Sequence, residues 1–129
     1  MIYLESSALV KLIVAEPESS ALRAYLAGQA GRVTSQLTRV EVLRAVRRAQ
    51  RPQTTVRRAE RALERIALVP LDERVLFHAA SLDPPGLRSL DAIHLATALS
   101  LNRLDALVTY DRRLRDAATD AGLATASPG

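Results

Sequence analysis

Short apolar runs alternate along this chain with longer segments of helical periodicity. The runs expected to form strands are 2–4, 32–35, 67–69, 106–109 and 123–125. The segments expected to form helices are 7–14, 18–27, 38–50, 53–66, 73–82, 90–101 and 112–121. Because strand-then-helix units connect neighbouring parallel strands, this pattern predicts an α/β fold in which helices cover both faces of a short parallel central sheet.

The spacing of the segments also limits the class of protein. Glycine and proline fall between the segments, and no repeat or linker divides them, so we expect residues 1–129 to form a single domain. The absence of cysteine excludes disulfides and thiolate metal sites. No apolar stretch approaches the ~18 residues of a membrane span, so we expect a soluble cytoplasmic protein that has no membrane partner.

Four carboxylates interrupt segments that are otherwise apolar: Glu5, Glu41, Asp91 and Asp111. Glu5 follows the first strand-like run directly, and Asp111 lies shortly after the fourth. Glu41 and Asp91 lie within helical segments, and the segment around Asp91 is the most apolar in the chain. Burying an unpaired carboxylate is costly. Four such acids therefore predict a shared positive partner, for which a divalent cation is the natural candidate.

The predicted topology brings these acids toward one edge of the sheet. Ligands of an open parallel sheet bind beyond the carboxyl ends of its strands, which is where Glu5 and Asp111 lie. Ser89 is expected to cap the helix that carries Asp91, which would place this acid in the first turn. Glu41 lies about one turn into its helix and could reach the same edge.

Structural interpretations of the same acids remain open at this point. Asp111 could cap the helix that follows it, and Glu5 could open the helix after the first strand. Asp91 could be satisfied by backbone N–H groups of its own first helical turn. A shared site is the simpler hypothesis, because the structural interpretations need a separate explanation for each acid.

The ligand atoms indicate which cation such a site would hold. Oxygen ligands suit Mg²⁺ or Mn²⁺ and disfavour zinc, and a cluster of acids can hold one ion or a pair for displacement at a phosphate. Ser6, Ser7 and Thr109 lie beside the acids and are candidates to hydrogen-bond the ligands, although Ser7 could equally be a helix cap. His94 shares a helical face with Asp91, and we predict a satisfied core residue there rather than a catalytic one.

The basic residues of the chain are almost entirely arginine. The formal net charge is +4, Lys11 is the only lysine, and nine arginines lie in residues 39–65. Guanidinium groups suit phosphates, so this bias favours a nucleic-acid partner, while a solvated helical face remains the alternative.

Arg39 and Arg44 are also potential ion-pair partners of Glu41. No motif for covalent catalysis is present.

Four motifs spread over nearly the whole chain form a recognisable set. They are MIYLESSALVKL at 1–12, TRVE at 38–41, RSLDAIHLATA at 88–98 and LVTYDRRL at 107–114. In this order and spacing they resemble the PIN-domain ribonucleases, and among them the VapC toxins of type II toxin–antitoxin modules. The acidic positions of that family fall on Glu5, Glu41, Asp91 and Asp111. Its first-motif hydroxyl falls on Ser6 or Ser7.

The resemblance implies a fold, an activity and partners. The fold would be a three-layer α/β/α PIN-like domain, and the activity Mg²⁺- or Mn²⁺-dependent hydrolysis of RNA. The protein would be a homodimer that a VapB-type antitoxin inhibits. A structured RNA with an exposed loop, such as a tRNA or an rRNA, is the expected substrate class, because RNA sequence is read mainly at unpaired bases.

Glu5 departs from the family pattern, in which the first acid is Asp. The additional methylene displaces the carboxylate by about 1.5 Å, and Mg²⁺ tolerates little geometric error. We expect activity with an altered metal geometry. The alternatives are a PIN nuclease that processes RNA without being a toxin, and a catalytically impaired module that binds RNA or protein.

Overall fold

A computed structural model of the protein describes residues 1–129, and its strands and helices alternate along the chain. The strands are β1 (Ile2–Leu4), β2 (Arg32–Ser35), β3 (Ala67–Val69), β4 (Ala106–Val108) and β5 (Thr125–Ala126). The helices are α1 (Ser6–Ile13), α2 (Ser19–Ala27), α3 (Gln36–Arg48), α4 (Gln53–Glu64), α5 (Glu73–Ala80), α6 (Ser89–Leu99) and α7 (Arg112–Asp120). The predicted alternation is confirmed.

All five strands pair in parallel, in the order β3-β2-β1-β4-β5. The chain moves outward from β1 through β2 to β3, and then returns to place β4 on the other side of β1. The direction of winding therefore reverses between β1 and β4. In sheets of this kind, ligands bind in the crevice outside the carboxyl ends of the strands at the reversal point.

Two apolar clusters lie on opposite faces of this sheet. Successive side chains of a strand point to opposite faces, so Ile2 and Leu4 face one way and Tyr3 the other. Ile2 and Leu4 belong to a cluster that includes buried side chains of α1, α2, α3 and α4. Tyr3 packs with buried residues of α6 and α7, and α5 packs against α6. The predicted three-layer α/β/α architecture is thus confirmed.

The last strand begins later than the sequence suggests, because Leu123 belongs to the motif that closes α7. Gly122 has a φ of +94°, a left-handed conformation that glycine adopts without strain. The backbone N–H of Gly122 donates to the carbonyl of Thr119, and that of Leu123 donates to the carbonyl of Ala118. These two hydrogen bonds form a Schellman motif that closes the helix. The strand predicted at 123–125 therefore overlaps the observed β5 only at Thr125.

None of the helices combines the length and the apolar composition that would be needed to cross a bilayer.

Candidate functional site

The site is built where β1 and β4 end, at the reversal point of the sheet. Leu4 pairs with Val108, and the backbone N–H of Glu5 donates to the Val108 carbonyl at 3.0 Å. This register places Glu5 beside Thr109, the first residue after β4. The sequence prediction that the first and fourth strands deliver their acids to one edge agrees with this pairing.

Glu5 is buried, with 6% of its surface exposed, and its carboxylate is held by three donors. Oε2 accepts from the backbone N–H of Ser7 at 3.1 Å, from the Ser7 hydroxyl, and from the Thr109 hydroxyl at 2.8 Å. The contact with the Ser7 backbone makes Glu5 the N-cap of α1. Glu5 therefore opens its helix, as the structural interpretation predicted, and also lies at the predicted edge.

The hydroxyls of Ser7 and Thr109 join the segments that follow β1 and β4. The Thr109 oxygen accepts from the backbone N–H of Asp111 at 3.1 Å while its proton is given to Glu5. The Ser7 oxygen accepts from the backbone N–H of Tyr110 at 2.9 Å. Both hydroxyls therefore contact a predicted site acid or its neighbour. Ser7 itself is not a helix cap.

Asp111 is the N-cap of α7, as the structural interpretation predicted. Its Oδ1 accepts from the backbone N–H of Leu114 at 3.1 Å. Its Oδ2 receives no hydrogen bond from the protein, so one oxygen remains available to a ligand. Capping and ligation therefore do not compete for the same atom.

Asp91 lies in the first turn of α6, as predicted, but for a different reason. The N-cap is Arg88, which has extended backbone angles and no capping side chain, and Ser89 is already helical. The prediction that Ser89 caps this helix was therefore wrong by one residue. The carboxylate of Asp91 makes no hydrogen bond or ion pair with the protein.

Asp91 lies within electrostatic range of the other three acids. Burial raises the pKa of its carboxyl first, and the charges of Asp111, Glu5 and Glu41 raise it further against the opposing effect of His94. Like charges raise a carboxyl pKa because they disfavour a second ionised group nearby. The repulsion at Asp91 is what a bound cation would relieve.

Glu41 reaches the site from α3 and is held by two donors. Its Oε1 accepts from the Ser6 hydroxyl at 2.6 Å and lies 2.5 Å from Nε2 of His94. The alternative interpretation, an ion pair of Glu41 with Arg39 or Arg44, does not hold, because the carboxylate turns inward toward Ser6 of α1 and His94 of α6. Burial raises the pKa of Glu41, but the hydrogen bond and charge of His94 and the hydrogen bond of Ser6 bring it below the usual value.

His94 is fully buried, and both of its ring nitrogens have partners. The hydroxyl of Tyr3 lies 2.7 Å from Nδ1. Burial raises the pKa of Tyr3 well above its usual value, so the phenol keeps its proton in this contact. Nε2 faces the carboxylate of Glu41, and because an ionised carboxylate can only accept, Nε2 donates this hydrogen bond. His94 is a satisfied core residue, as predicted, and it also orients a site acid.

Sequence reasoning missed Tyr3 and the connection from His94 to Glu41. The spacing of Asp91 and His94 on one helical face was a usable signal, because residues three apart are neighbours on a helix. No comparable signal links His94 to Glu41, which lies 53 residues earlier in the chain. That contact depends on how α3 and α6 meet beyond the strand ends.

The donor atoms fit a hard divalent cation. No three Asp, Glu or His side chains converge closely enough to enclose an ion in the present arrangement. Mg²⁺, however, typically binds one or two carboxylates and keeps several waters, so a closed cage is not required. Asp91 has no protein partner, and Asp111 has one oxygen without a partner, so these two acids meet that requirement most directly.

Comparison with known protein families and relatives gives a consistent set of similarities. The model of the PIN domain family matches residues 2–120. The chain is 50% identical over 128 residues to a protein named Ribonuclease VapC46 from Mycobacterium tuberculosis, an alignment that covers 98% of this chain and 97% of that protein.

Solved structures share the fold at lower sequence identity. One is VapC20 from Mycobacterium tuberculosis, described as a sarcin–ricin loop cleaving toxin, with a TM-score of 0.77, 15% identity, and coverage of 99% of this chain and 100% of that one. Another is a toxin–antitoxin complex from Klebsiella pneumoniae, with a TM-score of 0.74, 22% identity, and coverage of 100% and 98%.

Proposed function

Because the chain belongs to the PIN-domain family, we propose that it is an endoribonuclease and the toxin of a type II toxin–antitoxin module. The proposal is supported by a relative named as a VapC ribonuclease that is half identical over nearly the whole of both chains. The observation that carries the activity is the Asp91 carboxylate in the first turn of α6, which has no protein partner and on which the charges of Asp111, Glu5 and Glu41 act. The substrate proposed is a structured RNA, such as a tRNA or an rRNA.

We propose that Glu5, Glu41, Asp91 and Asp111 hold Mg²⁺ or Mn²⁺. When bound, the cation supplies Lewis acidity, which makes an attacking water more acidic and offsets the negative charge of the phosphate. Asp91 contributes a carboxylate that has no hydrogen-bond or ion-pair partner within the protein. Asp111 contributes its Oδ2, because Oδ1 is engaged in capping α7.

The two glutamates have roles set by their hydrogen bonds. His94 and Ser6 keep Glu41 ionised and fix its Oε1, which leaves Oε2 for a ligand or a water. Ser7 and Thr109 both bind Oε2 of Glu5, which leaves its Oε1 without a protein donor. In each case the protein uses one oxygen to orient the carboxylate and leaves the other for the site.

The activity is tested by incubating purified protein with tRNA and with rRNA in EDTA, and then with Mg²⁺ or Mn²⁺ restored. We expect no cleavage in EDTA, recovery with either ion, and defined 5′ ends in the products. Cleavage that persists in EDTA would disprove the metal-dependent mechanism. The Asp91→Asn variant is the control for a contaminating nuclease, because it should remain inactive in both metals.

Glu5 distinguishes a working enzyme from an impaired module. The longer side chain turns back to cap α1, an arrangement that gives Glu5 a structural role whether or not the site is active. If Glu5 is a ligand, Glu5→Ala should lose cleavage, while Glu5→Asp should keep it with a changed preference between Mn²⁺ and Mg²⁺. Equal inactivity of the wild type and Glu5→Ala, with activity gained in Glu5→Asp, would instead identify an impaired site.

We further propose a VapB-type antitoxin and a homodimer as the physiological assembly. The Klebsiella structure of the same fold is a toxin–antitoxin complex, which supports the first of these. Co-expression with a small adjacent reading frame should yield a nuclease-silent complex. Sedimentation of the protein alone tests the dimer. Separate purification of the two proteins with cleavage undiminished would refute the toxin assignment but not the nuclease assignment.

A further inference from the structure

We infer that Arg44, Arg47 and Arg48 of α3 form a phosphate-binding subsite that holds the RNA strand where it leaves the acidic crevice. This inference rests on the proposed ribonuclease function and adds to it a defined contact surface. It concerns residues outside the four acids and their hydrogen-bond partners.

The three arginines line a surface hollow of about 290 Å³ without contribution from any other residue. All three are exposed. A concave site lined by guanidinium groups alone suits a ligand with several negative oxygens, because each group presents a planar fork of N–H donors. A phosphodiester backbone has this chemistry.

The charges of these arginines are not neutralised within the protein. The four salt bridges of the structure use the N-terminal amine, Lys11 twice, and His94, so no arginine takes part in one. The hydrogen bonds donated by arginine side chains come from Arg23 and Arg115 only. The hollow therefore retains its full positive charge for an external anion.

The hollow and the acidic site share helix α3, which carries both Glu41 and the three arginines. Arg44 and Arg48 follow Glu41 by three and seven residues, a spacing that puts them on the same side of a helix in successive turns. At 1.5 Å per residue they lie about 4.5 Å and 10.5 Å farther along the helix axis. An RNA strand bound at Glu41 would therefore meet these guanidinium groups within its next nucleotides.

The order of charges along α3 favours RNA over an acidic protein segment. A ligand that spans both regions must tolerate the carboxylate of Glu41 as well as the arginines. RNA does so when a cation at the crevice shields its scissile phosphate, while the adjoining phosphates take the arginines. An acidic peptide in the same place would be repelled by the crevice.

A second hollow provides a matched control. It has a volume of about 360 Å³ and includes three arginines, Arg23, Arg32 and Arg65. Arg32 begins β2, and Arg65 precedes β3, so this hollow lies at the amino end of the sheet, opposite to the acids. Replacing three arginines there changes the net charge equally and leaves the surface beside the crevice unchanged.

The test compares two triple variants, Arg44→Gln/Arg47→Gln/Arg48→Gln and Arg23→Gln/Arg32→Gln/Arg65→Gln, with the wild type. Binding of a fluorescent 20-nucleotide single-stranded RNA is measured by anisotropy in EDTA over a range of salt concentrations. For three lost phosphate contacts we expect the slope of log K against log salt to fall by about 2 in the α3 variant, and by much less in the control. Cleavage in Mn²⁺ should show a raised KM and an unchanged kcat in the α3 variant only.

The outcomes separate the inference from the function on which it rests. Equal losses in both variants would overturn the subsite, because they would reflect net charge alone. Unchanged RNA binding in the α3 variant combined with weaker binding of a co-expressed antitoxin would overturn it in favour of a protein interface. If the wild type cleaves RNA but the α3 variant keeps its KM, only the subsite fails. If the wild type neither binds nor cleaves RNA, the proposed function fails. Should a triple variant not fold, Arg44→Gln and Arg48→Gln are measured singly.

Discussion

Asp91 lies in an environment that disfavours its ionised form. Its carboxyl is partly buried, it has no partner, and its pKa is raised by burial and by the charges of neighbouring acids. An arrangement that disfavours the ionised form without compensating it indicates a site organised for a ligand rather than for stability. The loss of folding stability that ionised Asp91 causes in the metal-free protein should therefore be measurable.

We predict that Asp91→Asn reduces RNA cleavage by about 100-fold or more and leaves the melting temperature level or raised. Because the folded pKa is above the unfolded one, the wild type loses stability as pH rises between the two values. The stability advantage of Asp91→Asn should thus be absent at pH values below the ordinary aspartate pKa and grow as pH rises above it. Melting curves without metal from pH 3 to 8 measure this. A large loss of stability with cleavage retained would show a structural acid.

His94 shows how a residue can be packed in the core and still act on the site. The sequence correctly indicated a satisfied buried histidine, but the partner of its Nε2 is a site acid on another helix. We interpret His94 as a positioning residue for Glu41, and Tyr3 fixes its ring from the other side.

Two substitutions of His94 separate positioning from packing. Gln places an amide nitrogen near the position of Nε2 and can still donate to Glu41, whereas Asn reaches only the position of Nδ1. We predict that His94→Gln keeps the Mn²⁺ affinity within a few-fold, and that His94→Asn weakens it by about 10–100-fold. Electron paramagnetic resonance of bound Mn²⁺ provides a readout that does not depend on activity. Equal Mn²⁺ affinities with equal losses of stability would indicate packing alone.

At the scale of the elements, the sequence predicted what depends on local pattern. Each of the twelve elements was expected, and their bounds agree to within two residues, because apolar periodicity and breakers are local signals. The errors arise at helix ends, where the backbone conformation determines which residue begins or closes the helix. Ser89 was expected as a cap, but α6 begins at Ser89 after an extended Arg88. Leu123 was expected in a strand, but it closes α7.

Asp111 caps α7 and is also one of the proposed site acids, and these two roles can be tested independently. Asn caps a helix about as well as Asp but carries no charge, whereas Ala does neither. We predict that Asp111→Asn keeps the free energy of unfolding and loses most of the cleavage activity. Asp111→Ala should lose activity and also about 1 kcal/mol of stability.

Urea unfolding and RNA cleavage on the same preparations measure both effects. The matched control is Asp72→Ala, because Asp72 caps α5 in the same way through Val75 and lies outside the acidic crevice. It should lose a similar amount of stability and keep its activity. An inactive Asp72→Ala would mean that activity in this protein simply follows stability.

At the scale of the whole molecule, the sequence predicted the architecture better than the site. Parallel winding and the reversal point follow from the order of elements, and they bring Glu5 and Asp111 together. The positions of Glu41 and His94 depend on the packing of helices from opposite layers, which no local pattern encodes. The three acids around Asp91 are accordingly a property of the tertiary structure, although each residue was identifiable in the sequence.

If the acids hold a cation only in the folded state, Mn²⁺ should stabilise the entire domain. Linkage predicts about 2.7 kcal/mol at a metal concentration 100 times the Kd, equivalent to roughly 5–20 °C in melting temperature. If residues 1–129 form a single domain, as predicted, one transition should move as a unit. Differential scanning fluorimetry with Mn²⁺, and with Asp91→Asn as control, measures the shift. An equal shift in both proteins would place the bound ion elsewhere.

The hydrogen bonds from Tyr3 through His94 to Glu41 and Ser6 have a mechanical consequence. Tyr3 and His94 belong to the side of the sheet that α6 and α7 cover, whereas Glu41 and Ser6 lie on α3 and α1 of the other layer. These hydrogen bonds therefore connect the two helical layers at the ends of the strands. Local opening that breaks them would expose the amides of α3 and α6 together, so the hydrogen-exchange rates of the two helices should change together. Binding of RNA or an inhibitor at the site would then slow hydrogen exchange on both faces of the sheet.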